Sequence, residues 1–288
     1  MTPLPLRGGG EPNQSAFWRG RIKVTKTATL NCESRQSAIT GNPKNASEGS
    51  PLLELGCVLQ NSDIHVWYAD LAAAPAAKSL YCLLDEKEHQ RASLFKVRAA
   101  HDEFVTSRAF LRLAIGCYLE MDPPDVRFRV TEQGKPELAG PSNIRFNLTH
   151  TEGAAALAIT RVHAVGIDIE RIRQDIAALE IADSFFSRIE SEWLHSQPRS
   201  QLIPAFFACW TAKEACVKAC GRGFSMPLHT FSVAPRAPHN KLEFQICGDL
   251  RDPVSLTIRS LKLGPEIVGA VAVEGNGLRL RVGKWPWA

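Results

Sequence analysis

Along this chain the apolar positions change period several times, and each change marks an element. "IHVWYADL" (64–71) looks like the first strand of a folded unit. From Asp85 to Arg98, and again from His101 to Glu120, apolar residues recur at helical spacing. Phe104, Ala109, Leu111, Leu113, Ile115 and Leu119 predict that the second of these helices is largely buried. Period two returns in "VRFRVT" (126–131) and "IRFNLTH" (144–150), and "GAAALAIT" (153–160) is a short apolar run suited to a central strand.

A similar succession follows. The strand "AVGIDIER" (164–171) leads into helical material from Ile176 to Leu194 and a further helix from Pro204 to Cys220. Strands are expected at "TFSVAP", "KLEFQI", "VSLTIRSL" and "IVGAVAVEG". Strands mixed with helices but lacking a regular βαβ spacing predict an α+β fold. The outline divides into an N-terminal half (51–162) and a C-terminal half (163–288). Ahead of both lie residues 1–50, rich in Gly, Asn, Ser and Pro, which read as a mobile basic tail.

Composition narrows the class. With 288 residues, 44% apolar and 22% charged, the chain has the profile of an ordinary globular protein. No apolar run approaches a membrane span and the first residues hold no signal-type core, so the expected location is the cytoplasm and no membrane partner is expected. The net charge of +4 is carried by the first fifty residues, where seven Lys/Arg face three Glu. The remainder is neutral, which argues against a nucleic-acid footprint. None of the eight cysteines forms a C-x-x-C pair and most sit in apolar runs, so they are expected to be reduced packing residues.

Against that ordinary background a few charges stand out. In "AVGIDIERIR" Asp168 and Glu170 share one face of a strand, about 7 Å apart, while Ile167 and Ile169 take the other. Buried like charges are costly, so the pair is either a solvated strand end or a cation site suited to a hard divalent ion. In "FFACWTAKEACVKACGRG" Trp210, Glu214 and Lys218 form one helical stripe with Lys213 on its flank. Ala and Cys around them predict a buried helix, in which a Glu and a Lys ask for a role. "FNLTHT" places Asn147, Thr149 and His150 at a strand end, where a histidine can hold a phosphate or satisfy a carbonyl. "EQGKPEL" sets Gly134, Lys135 and Pro136 in a turn.

In this order, "GKP" (134–136), "FNLTH" (146–150), "GIDIE" (166–170) and "WTAKEACVKACGRG" (210–223) resemble the motif set of the 4′-phosphopantetheinyl transferases, of the monomeric type that activates surfactin synthetase. Coverage runs from about residue 80 to 233, with Thr149 where the family more often has Ser. The resemblance implies two similar α+β halves, each a small, mainly antiparallel sheet with a long helix, related by a pseudo-two-fold axis. It implies transfer of the phosphopantetheine arm of coenzyme A to a serine of an apo acyl, peptidyl or aryl carrier protein, with release of 3′,5′-ADP. By the same likeness Asp168, Glu170 and Glu214 hold Mg²⁺, Glu214 takes the serine proton, and Lys218 neutralises the leaving group. Arg91, Lys135, Asn147, Thr149, His150, Lys213 and Lys218 are expected at the coenzyme, with Arg108 and Arg112 as weaker candidates. A functional monomer is implied. The competing readings are another metal-dependent phosphoryl transferase or phosphate-ester hydrolase, and an inactive coenzyme A or carrier-binding module.

Overall fold

A computed structural model describes residues 57–221, 226–236, 243–248 and 256–287. The expected basic tail, and the side chains of the "KLEFQI" strand, lie outside the described residues. Eleven strands and six α-helices are described. The order begins β1 (Asp63–Asp70), α1 (Ala77–Leu80), α2 (Glu86–Ser93), α3 (Arg98–Leu119), β2 (Phe128–Val130), β3 (Pro136–Leu138), β4 (Ile144–Thr151), β5 (Ala154–Arg161) and β6 (Val165–Arg171). It continues with α4 (Ala178–Phe185), α5 (Arg188–His195), α6 (Arg199–Cys220), β7 (Phe231–Arg236), β8 (Glu243–Gly248), β9 (Leu256–Lys262), β10 (Ile267–Glu274) and β11 (Arg279–Lys284). The α+β expectation holds, and the sheets are mainly antiparallel.

One sheet has the order β11-β1-β5-β4 and the other β6-β10-β9-β8-β7, with β2 and β3 forming a separate ribbon. The sheets meet face to face through Ile64, Val66, Ala154, Ala156 and Ala158 on one side and Val165, Ile167, Ile169, Val271 and Val273 on the other. The long helix α3 covers the far face of the first sheet, packing Phe110, Leu111, Ala114 and Ile115 on Trp67, Leu157 and Ile159. The far face of the second belongs to α6, whose Cys209, Ala212, Ala215, Cys216 and Ala219 join a core with Ala270 and Ala272. The result is helix, sheet, sheet, helix. A strand covered on both faces needs no polar alternation, which is why "AAALAIT" in β5 is an unbroken apolar run.

Local chemistry sets several of the boundaries. Asp85 caps α2 and forms a reciprocal capping box with Glu88. A second such box, Ser187 with Glu190, starts α5, so the helical material expected from 176 to 194 forms two helices, α4 and α5. Gly221, at φ 66°, closes α6 in the left-handed conformation.

Two expectations are corrected. Cys57 and Cys117 form a disulfide, although both were read as packing residues; their pairing depends on a sequence separation of 60 that no local pattern reveals. Cys82, exposed, and Cys209 and Cys216, both buried, are thiols. Residues 279–284, assigned by the outline to the C-terminal half, instead form a parallel strand against β1 in the first sheet. Trp285 and Trp287 then pack against Phe110, with ring centroids 5.5 and 6.2 Å away. Among the described residues, no helix is long and apolar enough to cross a membrane.

Candidate active site at the seam of two sheets

The site forms where the edge strands β4 and β6 run alongside each other. An edge strand exposes unpaired N–H and C=O groups, and here side chains of the first sheet take them up. Asn147 Oδ1 accepts from the Ile167 N–H at 2.8 Å and Thr151 Oγ1 from the Arg171 N–H at 3.2 Å. Lys135, arriving from the turn between β2 and β3, donates to the carbonyls of Val165 (3.0 Å) and Lys218 (2.8 Å). Its ammonium thus ties β6 to the last turn of α6. Burial, reinforced by the Lys218 charge, lowers the Lys135 pKa to about 8 against the opposing pull of Glu137 and Cys220.

Strand alternation does what the pattern predicted. Ile167 and Ile169 enter the core between the sheets, and Asp168 takes the other face, 5% exposed. That face looks onto α6, and Gly166 explains how closely. A Cβ placed there would lie 2.1 Å from the Ala215 carbonyl oxygen, 2.3 Å from the Ala219 nitrogen and 2.8 Å from the Lys218 carbonyl carbon. Helix and strand backbones are in direct contact, so the side chains of α6 reach Asp168. Within Cys209–Ala219, Trp210, Glu214 and Lys218 are the partly exposed positions, and the rest are buried. The stripe seen in the sequence is the open face of the helix.

Lys218 Nζ lies 2.6 Å from Asp168 Oδ1 and 3.3 Å from Thr149 Oγ1, while the Thr149 hydroxyl donates to the same carboxylate oxygen at 3.2 Å. Asp168 Oδ2 is buried and has no hydrogen-bond partner. Glu170 is held by the Thr151 hydroxyl at 3.5 Å. Burial drives the Asp168 pKa up, opposed by Lys218, Thr149 and His150. Burial, then the Asp168 charge and more weakly Glu214, pushes Glu170 up to about 7 against Lys218 and Arg173. Glu214 also reaches about 7, through burial and Asp168 against Lys218. For Lys218 burial pulls downward, but the attraction of Asp168, Glu214 and Glu170 outweighs it and the pKa rises. The cluster holds one firm cation among three carboxylates that resist ionising together.

An orphaned, buried carboxylate oxygen is expensive unless a cation or donor approaches it. An all-oxygen donor set suits a hard divalent ion, which takes one or two protein carboxylates and completes its shell with water and phosphate. Among the described residues no three His, Cys, Asp or Glu side chains converge as a self-sufficient metal cage, so such an ion would depend on its ligand for the remaining oxygens. A cavity of about 460 Å³ opens between the β2–β3 ribbon and the end of α6, lined by residues that include Arg129, Lys135, Arg145, Val165 and Cys220 but by none of Thr149, Asp168, Glu170, Glu214 and Lys218.

The structure brings together Thr149, Asp168, Glu170, Glu214 and Lys218, with Asn147 and Lys135 bracing their backbones. His150 is exposed at the end of β4, within electrostatic reach of Asp168. Arg91 is exposed on α2 with its guanidinium 6.0 Å from the Phe95 ring. Three expected phosphate contacts have other partners. Lys213 is 0% exposed and bonded to Glu190 at 2.6 and 2.8 Å. Arg112, also fully buried, is held by Asp85 (2.6 Å), Glu88 (2.5 Å) and the carbonyls of Pro123 and Val126. Arg108 bonds Glu88 at 2.6 Å. Sequence reading missed Thr151, although its period-two relation to Asn147 and Thr149 placed it on the same face of β4. It also missed Glu190, which only the fold carries to Lys213.

Fold and site together define an α+β protein with a buried acidic centre at the seam of two sheets, suited to acid–base chemistry beside an anionic ligand. The model of the 4′-phosphopantetheinyl transferase superfamily matches residues 164–264, which include β6 and α6. The chain is 33% identical over 225 residues to the 4′-phosphopantetheinyl transferase HetI of Nostoc sp., covering 76% of this chain and 91% of that protein. It is also 33% identical to the transferase Sfp of Bacillus subtilis and 37% identical to gsp of Aneurinibacillus migulanus. Those matches cover 43% and 40% of this chain, and about half of each relative, 54% and 46%. The chain belongs to the 4′-phosphopantetheinyl transferase superfamily.

Proposed function

We propose that this enzyme transfers the 4′-phosphopantetheine arm of coenzyme A to a serine of an apo carrier protein, at the seam between β4, β6 and α6. The serine oxygen forms a bond to the phosphorus that bears the pantetheine. The bond from that phosphorus to the bridging oxygen breaks, and 3′,5′-ADP leaves. Glu214, with a pKa near neutrality, accepts the serine proton directly or through water. Lys218, kept protonated by its carboxylate neighbours, meets the charge that develops on the departing oxygen. Thr149, His150 and Arg91 are the groups assigned to the coenzyme phosphates.

The observation that carries this reading is the buried Asp168 with one oxygen on Lys218 and the other without a partner. It supports Asp168, Glu170 and Glu214 as the residues that would hold Mg²⁺. When bound, that ion supplies Lewis-acid stabilisation of pyrophosphate charge. The residues from both sheets come from one chain, which favours a functional monomer, and the helix–sheet–sheet–helix layering favours two related halves. The test is incubation of the full chain with coenzyme A, Mg²⁺ and a panel of apo acyl and peptidyl carriers, followed by intact-mass measurement. A gain of one phosphopantetheine arm on a carrier serine is expected; no gain across the panel sinks the proposal.

A further inference from the structure

The helix that supplies Glu214 and Lys218 buries its large side chains, Phe206 and Phe207, toward its N-terminal half. Around the site its buried surface is mostly Ala212, Ala215, Cys216 and Ala219, small residues that permit close approach and add little shape of their own to hold the register there. One turn from the site a different device is present. The Glu190 carboxylate on α5 accepts from the Ser187 N–H and hydroxyl, both at 2.9 Å, from Lys213 Nζ, and from the Val233 N–H of β7 at 2.6 Å. Lys213 gives a third bond to the Phe231 carbonyl at 2.6 Å and sits 4.2 Å from the centre of the Phe231 ring. Ser232 donates to Ser187 Oγ at 2.7 Å. Every donor of the ammonium is used, and neither charged group reaches solvent.

A buried ion pair of this kind is weak evidence for stability, because desolvation offsets much of its attraction; its best-attested use is to fix registry. Resting on the transferase reading above, we infer that Glu190 and Lys213 are positioning residues. Their pair locks α6 to α5 and β7, so that Glu214 and Lys218, one and five residues further along, stand opposite Asp168. The clamp touches neither coenzyme nor carrier. Its loss leaves the placement of Glu214 and Lys218 to backbone packing at Gly166 and the Lys135 bonds alone, and transition-state contacts suffer before ground-state binding does.

The experiment replaces both partners by Met, Glu190→Met with Lys213→Met, so that no unpaired charge stays buried, and compares this chain with wild type and with Lys213→Met alone. The double variant is expected to melt cooperatively and above the single variant. Per folded molecule its kcat should fall at least tenfold while KM for coenzyme A moves less than threefold, and its thermal stabilisation by Mg²⁺ should shrink. A double variant with wild-type kcat and a wild-type Mg²⁺ shift overturns the inference. If the double variant fails to fold, Ser232→Ala decides: a several-fold loss of kcat at constant KM supports the clamp, and wild-type kcat refutes it. A wild-type chain that transfers nothing refutes the transferase reading instead, and the Mg²⁺ melting shift alone then judges the clamp, its absence in wild type overturning both.

Discussion

Asp168, Glu170 and Glu214 lie in one cluster, where the Asp168 charge disfavours ionisation of both glutamates and Glu214 that of Glu170, and their protons therefore compete with any cation. Glu170 and Glu214 have folded pKa values of about 7 against an ordinary 4.5. Between those values the folded chain binds more protons than the unfolded chain, so stability without metal falls as pH rises through this window and levels off above it. Melting curves in chelator from pH 4.5 to 8 should show that decline, and Mg²⁺ should reverse it most above pH 7, where the carboxylates are free to bind. Asp168→Asn keeps the shape and removes the charge that faces Lys218. Carrier modification in that variant should drop by at least about 100-fold, on the order of 3 kcal/mol in the barrier, with a thermal midpoint at or above the wild-type value in the absence of metal. A variant with near wild-type turnover would refute the assignment. The types and spacing of these residues were legible in the sequence because a strand alternates at two and a helix repeats near four. Lys213 was misread for the same reason: it flanks the right stripe, and nothing local reveals Glu190.

At the level of elements, the site depends on a helix lying directly on a strand. Gly166 is required by that approach, since the atoms that an added methyl would meet are backbone of α6, which cannot step aside without the helix. Gly166→Ala is therefore expected to cost about 1–3 kcal/mol by overpacking. Activity should fall further than stability, because the displaced turn carries Lys218. Urea denaturation paired with steady-state kinetics separates the two effects, and a variant with both properties unchanged would contradict the close packing. Lys135 acts at the same junction from the other side. Lys135→Met leaves the Val165 and Lys218 carbonyls without their donor, a loss of roughly 1–3 kcal/mol for the buried acceptors, measurable in the same denaturation series. The element pattern itself was readable for β4, β6, α3 and α6 from their periods, and for β1 and β5 from short runs rich in apolar residues. The three-residue β3 was not, because a segment so short carries no period.

At the scale of the whole molecule, the last described strand helps to complete the first sheet. β11 adds to β1 in parallel, and Trp285, 7% exposed, enters the core under α3. Trp285→Ala should destabilise the protein by about 3–5 kcal/mol, a large share of the 5–15 kcal/mol typical of a domain, though the residue is far from the catalytic group in sequence. The Cys57–Cys117 bridge closes a span of 60 residues across the same half. Its reduction, or Cys57→Ser, should lower stability by about 2–4 kcal/mol, with carrier modification per folded molecule unchanged. Periodicity and motif order by themselves determined the fold class, most elements and the chemical types of the site, because side-chain direction along a strand or helix follows from backbone geometry alone. Tertiary structure alone decided that Lys213 is paired with Glu190, that Cys57 meets Cys117, that the last strand crosses to the first sheet, and that one Asp168 oxygen is buried without a partner. Each of these depends on contacts between residues distant in the chain, and no local repeat encodes which distant partner a closed loop will bring near.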